Sequence, residues 1–338
     1  MNTSAPGLSI VGSVYQGSET VDRFYQEATE AAVRTGLSYE IVLVDDGSKD
    51  DSFERMRTIQ RADPMHARIF QLSRNFGHHA AVGAALELAR GELVFLLDTD
   101  LQDKPELLGR FLSEFREHQV DVVYGCQDRR RGQFFERASG ALFWWLFNRL
   151  SGMRMTASPV TTRLMSRRYL DALLSLREYH RFTAGLMEWV GFPQRAIPVV
   201  RPPRALGRSH YGLTRKFQLF LTALTSFSAY PLQFATRLGF LITFVGTTLA
   251  LYILVRKILQ PQHYASGWVS LSSLIVILGG LNLAMIGLVG TWLARTYEQV
   301  KARPRFIIME AVDQTNTVGL KRSVPAREAV AVDPLLVK

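Results

Sequence analysis

Near its N-terminus the sequence alternates, four times over, a short apolar run, a polar turn and a segment with the apolar spacing of a helix. The apolar runs cover residues 8–15, 39–44, 67–72 and 93–97. Runs of this length that are bounded by polar turns are typical of strands buried on both faces. Strands and helices that alternate along a chain form βαβ units around a parallel sheet. The pattern therefore predicts an α/β fold with a mainly parallel sheet.

The polar turns after these runs provide the candidate binding residues. Parallel strands bring their carboxyl ends to one edge of a sheet, so the turns should meet there and offer carboxylates, a serine, an asparagine and exposed backbone. Neither a GxGxxG nor a GxxxxGK[ST] motif occurs in the sequence, which argues against the common dinucleotide and P-loop sites. What remains is an acid-rich, metal-dependent pocket suited to a nucleoside diphosphate.

The fourth apolar run ends in Asp98-Thr99-Asp100. Asp98 and Asp100 stand two residues apart in chain that is still locally extended, so both side chains can point toward one ion or phosphate. Carboxylate oxygens suit Mg²⁺ or Mn²⁺, which usually keep several waters and bind substrate phosphates as well. The alternative is a solvated acidic turn at the end of a strand, which is the more common structure for an isolated Asp-x-Asp.

Charge and cysteine content narrow the range of partners. The 338 residues carry a formal net charge of +10, which predicts an anionic partner such as nucleic acid or a lipid surface. Cys126 is the only cysteine, so an internal disulfide is excluded and a reducing compartment is expected. The N-terminal residues 1–7 are polar and uncharged, so no signal peptide is expected there.

Two long uncharged stretches, at residues 238–255 and 271–293, favour a membrane over nucleic acid. Each is long enough to span about 30 Å of hydrocarbon as a helix. Most of the nearby basic residues lie before the first stretch or after the second, and only Arg256 and Lys257 lie between the two. The positive-inside rule then places both ends in the cytoplasm. The sequence therefore predicts a two-helix transmembrane hairpin.

Four further segments are assigned from their composition. Residues 134–150 are aromatic nearly throughout, and they form either a helix in the bilayer interface or a buried core helix. Residues 164–176 and 181–192 have helical periodicity. Residues 198–213 are a basic loop, either solvated or in contact with phosphates or headgroups. The tail after about Met309 is polar and is expected to be poorly ordered.

Taken together, the motifs resemble those of family 2 glycosyltransferases. The closest likeness is to the membrane-anchored polyprenyl-phosphate glycosyltransferases, such as dolichyl-phosphate mannose synthases and bactoprenol glucosyltransferases. It covers roughly residues 8–308 and rests on VDDGS at 44–48, SRNFG at 73–77, DTDLQD at 98–103 and RALGRSHY at 204–211. Any one of these motifs is weak evidence, but the set in this order is specific.

The resemblance implies a GT-A fold and a domain order. The catalytic domain would cover residues 1–206, followed by a juxtamembrane amphipathic segment at 207–232, two transmembrane helices within 233–296 and a cytoplasmic tail at 297–338. The implied partners are a nucleotide-sugar donor (a UDP-sugar in preference to a GDP-sugar), Mg²⁺ or Mn²⁺, and polyprenyl phosphate such as undecaprenyl phosphate. The implied assembly is a homo-oligomer, by likeness a tetramer. Its place would be the bacterial inner membrane, as a multi-pass protein with catalytic domain and both termini in the cytoplasm.

The resemblance also implies roles for individual residues. The nucleotide would be lined by Val14, Tyr15, Asp45, Asn75, Asp98 and Thr99. The metal would be held by Asp98, Asp100 and Gln102. Catalysis would involve Asp98 and Asp100 together with groups that meet phosphates of donor or acceptor, namely Arg129, Arg137, Arg204 and Ser209.

Three positions depart from the family pattern. Residues 13–17 are Ser-Val-Tyr-Gln-Gly where relatives usually carry Pro-Val-Tyr-Asn-Glu, and His210 stands in place of a lysine. Thr161-Thr162 replaces an Asp-Phe pair, and no carboxylate occurs nearby at residues 157–163. We therefore predict an active enzyme in which Thr161 or Thr162 contributes a neutral hydrogen bond to the sugar or acceptor.

The predicted reaction is one inverting displacement at the anomeric carbon, with the lipid phosphate as nucleophile. A phosphate monoester has its second pKa near 6, so no strong general base is required. One alternative is a membrane glycosyltransferase for another lipid or a polysaccharide, which would be expected to show more membrane spans and a Gln-x-x-Arg-Trp motif. Another is a non-catalytic membrane scaffold with a degenerate nucleotide fold, against which the Asp98/Asp100 pair argues.

Overall fold

The computed structural model describes residues 5–127, 159–176, 178, 183–199, 230–259, 267–313 and 316–317. Four parallel strands form the centre of its sheet: β1 (Leu8–Val14), β2 (Tyr39–Asp45), β3 (Ala67–Leu72) and β4 (Leu93–Leu96). They lie side by side in the order β4-β1-β2-β3. The four strands coincide with the four apolar runs of the sequence, so the predicted α/β fold with a parallel centre is confirmed.

Helices cover both faces of this sheet, which is why its strands are largely apolar. They are α1 (Val21–Arg34), α2 (Ser52–Ala62), α3 (His78–Leu88), α4 (Leu107–His118), α5 (Arg167–Ser175) and α6 (Thr183–Trp189). On one face, buried side chains of α1, α2 and α4 pack with Ile10 of β1. On the other face, α3, α5 and α6 pack with Val11 of the same strand. Each side chain on one face is thus followed by a buried one on the other.

Three strands extend the sheet beyond β4: β5 (Val122–Gln127), β6 (Pro159–Ser166) and β7 (Gln194–Val199). Strand β6 is antiparallel to both β4 and β5, whereas β7 is parallel to β5. The helix predicted at residues 164–176 begins only at Arg167, because Ser166 accepts a hydrogen bond from Tyr169 N and caps it. Part of the segment predicted as a basic loop, Pro198 and Val199, belongs to β7.

The opposite edge of the sheet is formed by the C-terminal part of the chain. Strand β8 (Ile308–Asp313) pairs antiparallel with β3, and β9 (Asn316–Thr317) pairs with β8. The expectation of a poorly ordered tail after Met309 is therefore wrong for these residues. The reason is that β3 would otherwise present an unpaired edge, and Ile308 and Ala311 are buried against the sheet.

Two long helices precede β8, namely α7 (Tyr230–Leu259) and α8 (Trp268–Val300). Within the part of the chain that the structure describes, only Leu278–Val300 is both long and apolar enough to cross a membrane, judged by length and composition. A shorter apolar segment, Ala235–Gly246, lies in α7. The predicted transmembrane hairpin is thus not confirmed as a pair of spans. The predicted interfacial helix at 134–150 and most of the juxtamembrane segment lie outside the described residues.

Candidate functional site

The carboxyl ends of the central strands are joined directly to one another. Asp46 N, just after β2, donates to the carbonyl oxygen of Val14 at 2.8 Å. On the other side of β1, the Thr99 hydroxyl donates to the carbonyl oxygen of Ser13 at 2.8 Å. The polar turns after β1, β2 and β4 therefore meet at one edge of the sheet, as the alternating sequence pattern predicts.

Asp45 ends β2 as a fully buried carboxylate. It accepts hydrogen bonds from the backbone N–H of Ser48 at 3.1 Å and from Gln71 Nε2 at 3.2 Å. The Ser48 hydroxyl in turn accepts from Gln16 N at 2.9 Å. Tyr15, which precedes Gln16, is 48% exposed. The turn after β1 is thereby fixed to the turn after β2, with Tyr15 available to a ligand at the surface.

Asp46 and Gly47 lock this turn against the turn after β3. The Asp46 carboxylate accepts from Phe76 N at 2.8 Å and from Gly77 N at 3.0 Å. Gly47 has a φ of +67°, and a Cβ there would lie 2.5 Å from the backbone carbon of Arg74, so only glycine fits. Burial raises the pKa of Asp46, and the two backbone N–H groups only partly offset that rise.

Asp46 is a positioning residue that the sequence analysis did not single out. Its neighbour Asp45 received the nucleotide-binding role, although both belong to the same VDDGS motif. Asn75 lies on the turn that Asp46 holds and is exposed. The turn is therefore built to present Asn75 at the same edge as Asp45, and the motif itself was the available signal.

His78 is a second site residue that the sequence analysis missed. It begins α3, and its Nδ1 atom lies 3.2 Å from the Ser13 hydroxyl at the end of β1. Its Nε2 atom lies 3.6 Å from Asp98 Oδ1 at the end of β4. The imidazole thus connects the turn after β3 to the ends of β1 and β4, although neither strand pairs with β3. In the sequence His78 only follows the SRNFG motif, and nothing there indicates its contacts with Ser13 and Asp98.

The acidic turn after β4 combines buried and exposed carboxylates. The Asp98 side chain is 19% exposed and Thr99 is buried, whereas Asp100 is exposed. Gln102 N donates to Asp100 Oδ1 at 3.1 Å, which closes a short turn. Leu101 within it has a φ of +58°. Asp98 and Asp100 thus lie at the carboxyl end of β4, as predicted, with Asp100 open to solvent.

This donor set is compatible with a hard divalent cation. No group of three or more His, Cys, Asp or Glu side chains that could hold a metal occurs among the described residues. Mg²⁺ is commonly held by only one or two carboxylates together with substrate phosphates and water. Two aspartates and the Gln102 amide at an open strand end fit that coordination chemistry.

The base of the acidic turn is anchored to β6 by a buried pair. The Thr162 hydroxyl donates a short hydrogen bond to Asp103 Oδ2, and both residues are fully buried. Its neighbour Thr161 is half-buried. Of the two threonines that the sequence offered as a sugar or acceptor contact, Thr162 is committed to Asp103. Thr161 therefore remains as the candidate contact to the sugar or acceptor.

Four predicted site residues cannot be placed in this arrangement. Arg129, Arg137, Arg204 and Ser209 lie outside the described residues. The structure therefore brings together, at one edge of the sheet, the following predicted residues: Val14, Tyr15, Asp45, Asn75, Asp98, Thr99, Asp100 and Gln102.

Comparison with known proteins finds a family model and relatives for this chain. The model of glycosyl transferase family 2 matches residues 9–171. An uncharacterized glycosyltransferase, YkcC, of Bacillus subtilis is 34% identical over 90% of this chain and 93% of its own length. The undecaprenyl-phosphate 4-deoxy-4-formamido-L-arabinose transferase of Klebsiella pneumoniae is 30% identical over 92% of this chain and 95% of its own.

Among solved structures, the chain is similar to a mannosyltransferase from Pyrobaculum calidifontis in complex with GDP-Man and Mn²⁺. That similarity has a TM-score of 0.45 and 16% identity, over 89% of this chain and 86% of the other.

Proposed function

The chain belongs to glycosyltransferase family 2, and from that premise we propose that it transfers a sugar from a nucleoside-diphosphate sugar to a polyprenyl phosphate. The observation that carries the proposal is the extent of its similarity to the undecaprenyl-phosphate transferase, which covers 92% of this chain. That extent exceeds the family domain at residues 9–171 and takes in the long helices that follow it. Long helices of this kind would hold the site of an enzyme with a lipid acceptor near the bilayer.

The nucleotide of the donor would occupy the edge formed by the ends of β1, β2 and β3. Asp45 is held by Ser48 and Gln71, so its carboxylate is oriented before a ligand arrives. Exposed Tyr15 and Asn75 lie on the neighbouring turns, Val14 is the register partner of Asp45 on β1, and Thr99 lies beyond β1 at the end of β4. We propose that a UDP-sugar binds here in preference to a GDP-sugar.

The diphosphate would lie over the end of β4. Asp98 and Asp100, with Gln102, would hold Mg²⁺ or Mn²⁺ against its oxygens. When bound, the ion neutralises negative charge that develops on the leaving nucleoside diphosphate. The three arginines assigned by resemblance, Arg129, Arg137 and Arg204, would add positive charge around the donor and acceptor phosphates, with Ser209 as a hydrogen-bond donor.

The reaction would be a single displacement with inversion at the anomeric carbon. An oxygen of the lipid phosphate forms the new bond to that carbon as the bond to the nucleoside diphosphate breaks. The phosphate is largely dianionic at neutral pH and has no proton that must be removed. Asp103, the carboxylate beside Thr162, is fully buried and therefore closed to the acceptor phosphate, which supports this base-free route.

The most direct test incubates membranes that contain the protein with radiolabelled nucleotide sugars and undecaprenyl phosphate. Label that enters the organic phase only when both protein and lipid phosphate are present supports the proposal, and the panel identifies the sugar. Label that enters a polysaccharide or another lipid instead would favour the alternative acceptor. Donor that is neither transferred nor hydrolysed would favour a non-catalytic scaffold.

A substitution at Thr161 tests the neutral hydrogen bond proposed for this position. Thr161→Val should lower the transfer rate by roughly 5- to 150-fold, because a buried polar partner left unsatisfied costs about 1–3 kcal/mol. Thr162→Val is the matched control, since it removes the hydroxyl from Asp103 and should mainly lower the Tm. A several-hundred-fold gain of rate in Thr161→Asp, on the native donor, would show that the mechanism needs a base after all.

We further propose that α7 and α8 form the transmembrane hairpin, with both termini and the sheet domain in the cytoplasm of a bacterial cell. A cysteine placed at Ser266, in the link between them, should react with an impermeant thiol reagent added from outside, because the basic residues lie on the other side. Cys126 of β5 should stay unlabelled in the same cells. Labelling of Ser266→Cys only in inverted membranes would reverse the orientation.

The proposed tetramer is tested by the mass of the purified protein in detergent.

A further inference from the structure

The chain returns to the donor site after its last long helix. Helix α8 ends at Val300, and β8 begins at Ile308 beside β3. Just before β8, the carbonyl oxygen of Ile307 accepts a hydrogen bond from Ser73 N at 2.9 Å, at the base of the turn after β3. That turn continues to Asn75 and to the N–H groups held by Asp46. The segment that leaves α8 is therefore bonded to Ser73, the first residue of the turn at residues 73–77, which we call the donor turn.

Ion pairs join the link and β8 to two helices, α3 and α2. Arg305 Nη2 lies 2.7 Å from Glu87 Oε1 in the last turn of α3, the helix that follows the donor turn. Glu310 lies 2.5 Å from Arg57 Nη2 on α2, and both side chains are about three-quarters buried. Partial burial of the second pair means that solvent screens it less than an exposed pair.

The far end of β8 is held by a buried network of charges. Asp313 Oδ2 accepts from Arg68 Nε at 3.1 Å and from Arg90 Nη2 at 3.2 Å. Arg68 also donates from Nη1 to Glu40 Oε2 at 2.9 Å, and both of these side chains are buried. Removing one member would leave buried charge uncompensated, which is costly. Strand β8 is thus held at both of its ends by hydrogen bonds and ion pairs.

The link between α8 and β8 is short. Residues 301–307 join them, so the end of α8 lies within about 30 Å of the start of β8 even if the link is fully extended. Leu278–Val300 is the apolar stretch that could cross a membrane. With α8 in a membrane, the sheet domain can therefore move only as far as this link allows before it pulls on β8, and through β8 on the donor turn.

We infer that β8 is a positioning strand for the donor site: it fixes the turn at residues 73–77 relative to helix α8. The inference rests on the proposed function for the identity of the donor, but the contacts of β8 do not depend on which sugar is carried. Loosening β8 should weaken donor binding, because Asn75 and the Asp46-bound N–H groups would no longer be held in one position. A strand that merely covers the edge of β3 would affect stability alone.

Charge reversal separates these two roles. In the full-length protein reconstituted in membranes, Arg57→Glu and Glu310→Arg should each raise the KM for the nucleotide sugar by about fivefold, within the range expected for coupling between contacting elements. The double variant restores the pair with its charges exchanged, although a glutamate at position 57 loses the 3.1 Å contact that Arg57 makes with Glu54. The KM should therefore return part of the way to that of the wild type. Arg55 and Asp22 form the matched control: they pair at 2.7 Å on α1 and α2 but do not contact β8. Reversing them should leave the donor KM unchanged.

A second measurement does not depend on activity. Ala311→Pro removes an N–H from the middle of β8 and disrupts its pairing with β3. Amide hydrogen exchange in residues 73–77 should then accelerate at least about tenfold, while exchange in β1 stays slow.

If the wild type transfers sugar but the Arg57 and Glu310 variants shift only the Tm, the positioning role is wrong. If the wild type transfers no sugar, the proposed function fails. In that case the exchange rates in the donor turn still test the role of β8. Unchanged exchange in Ala311→Pro would show that β8 does not position this turn.

Discussion

Asp100→Ala should lower the rate of sugar transfer by at least about a hundredfold while the protein stays folded in the membrane. Asp100 is exposed at the end of β4, and its carboxylate accepts one hydrogen bond, from Gln102 N. Its removal deletes a proposed ion ligand without opening a cavity in the core. The transfer rate is measured over a series of Mg²⁺ and Mn²⁺ concentrations, together with the Tm. Mn²⁺ bound in the presence of nucleoside diphosphate provides a readout that does not require turnover.

The matched control for Asp100 is Asp171→Ala. Asp171 is also exposed, and its nearest basic partner, Arg167, lies 3.7 Å away on α5. Loss of such a surface carboxylate should change neither rate nor Tm appreciably. Asp98→Asn should resemble Asp100→Ala in its effect on transfer. An undiminished rate for Asp100→Ala at saturating Mg²⁺ or Mn²⁺ would remove that residue from the ion site.

The second large effect is expected at Asp46, which holds the donor turn. Asp46→Ala leaves the buried N–H groups of Phe76 and Gly77 without their carboxylate acceptor, at a cost of about 2–4 kcal/mol. We expect the donor KM to rise at least about tenfold and the Tm to fall, since the turn that carries Asn75 loses its anchor. Kinetics with varied donor, and thermal unfolding of the same preparation, measure the two consequences.

Asp51→Ala is the control for Asp46. Asp51 stands at the start of α2 on the surface, and its side chain makes no capping hydrogen bond. Its replacement should change stability by less than about 0.5 kcal/mol. A donor KM that Asp46→Ala leaves at the wild-type value would mean that the donor does not depend on the turn at residues 73–77. The assignment of Asn75 to the nucleotide would then fail as well.

Local sequence patterns were sufficient for the centre of the fold. Each of β1 to β4 is a run of apolar residues bounded by polar turns, because helices cover both faces of a parallel sheet. The same pattern places Asp45, Asn75, Asp98 and Asp100 at strand ends. The topology of βαβ units then brings those ends to one edge. The edge where the site lies could thus be predicted from the sequence.

The roles of individual side chains at that edge required the tertiary structure. Nothing in VDDGS distinguishes Asp45, which accepts from Ser48 and Gln71, from Asp46, which accepts from the turn after β3. Thr162 could be excluded as a substrate contact only once Asp103 was seen to take its hydroxyl. His78 likewise reaches Ser13 and Asp98 across separate strands.

The pairing of two outer strands, β6 and β8, also required the tertiary structure. Residues 164–166 have the spacing of the helix that follows them, yet they pair with β4 and β5, and Ile308–Asp313 follows a membrane-type helix, yet it pairs with β3. Apolar periodicity reports which face of a segment is buried, but it does not identify the strand with which that segment pairs. The sequence by itself determined the central strands and the edge where the site lies. Which distant segments complete the sheet was decided only in the folded chain, because backbone hydrogen bonds carry no signature in residue type.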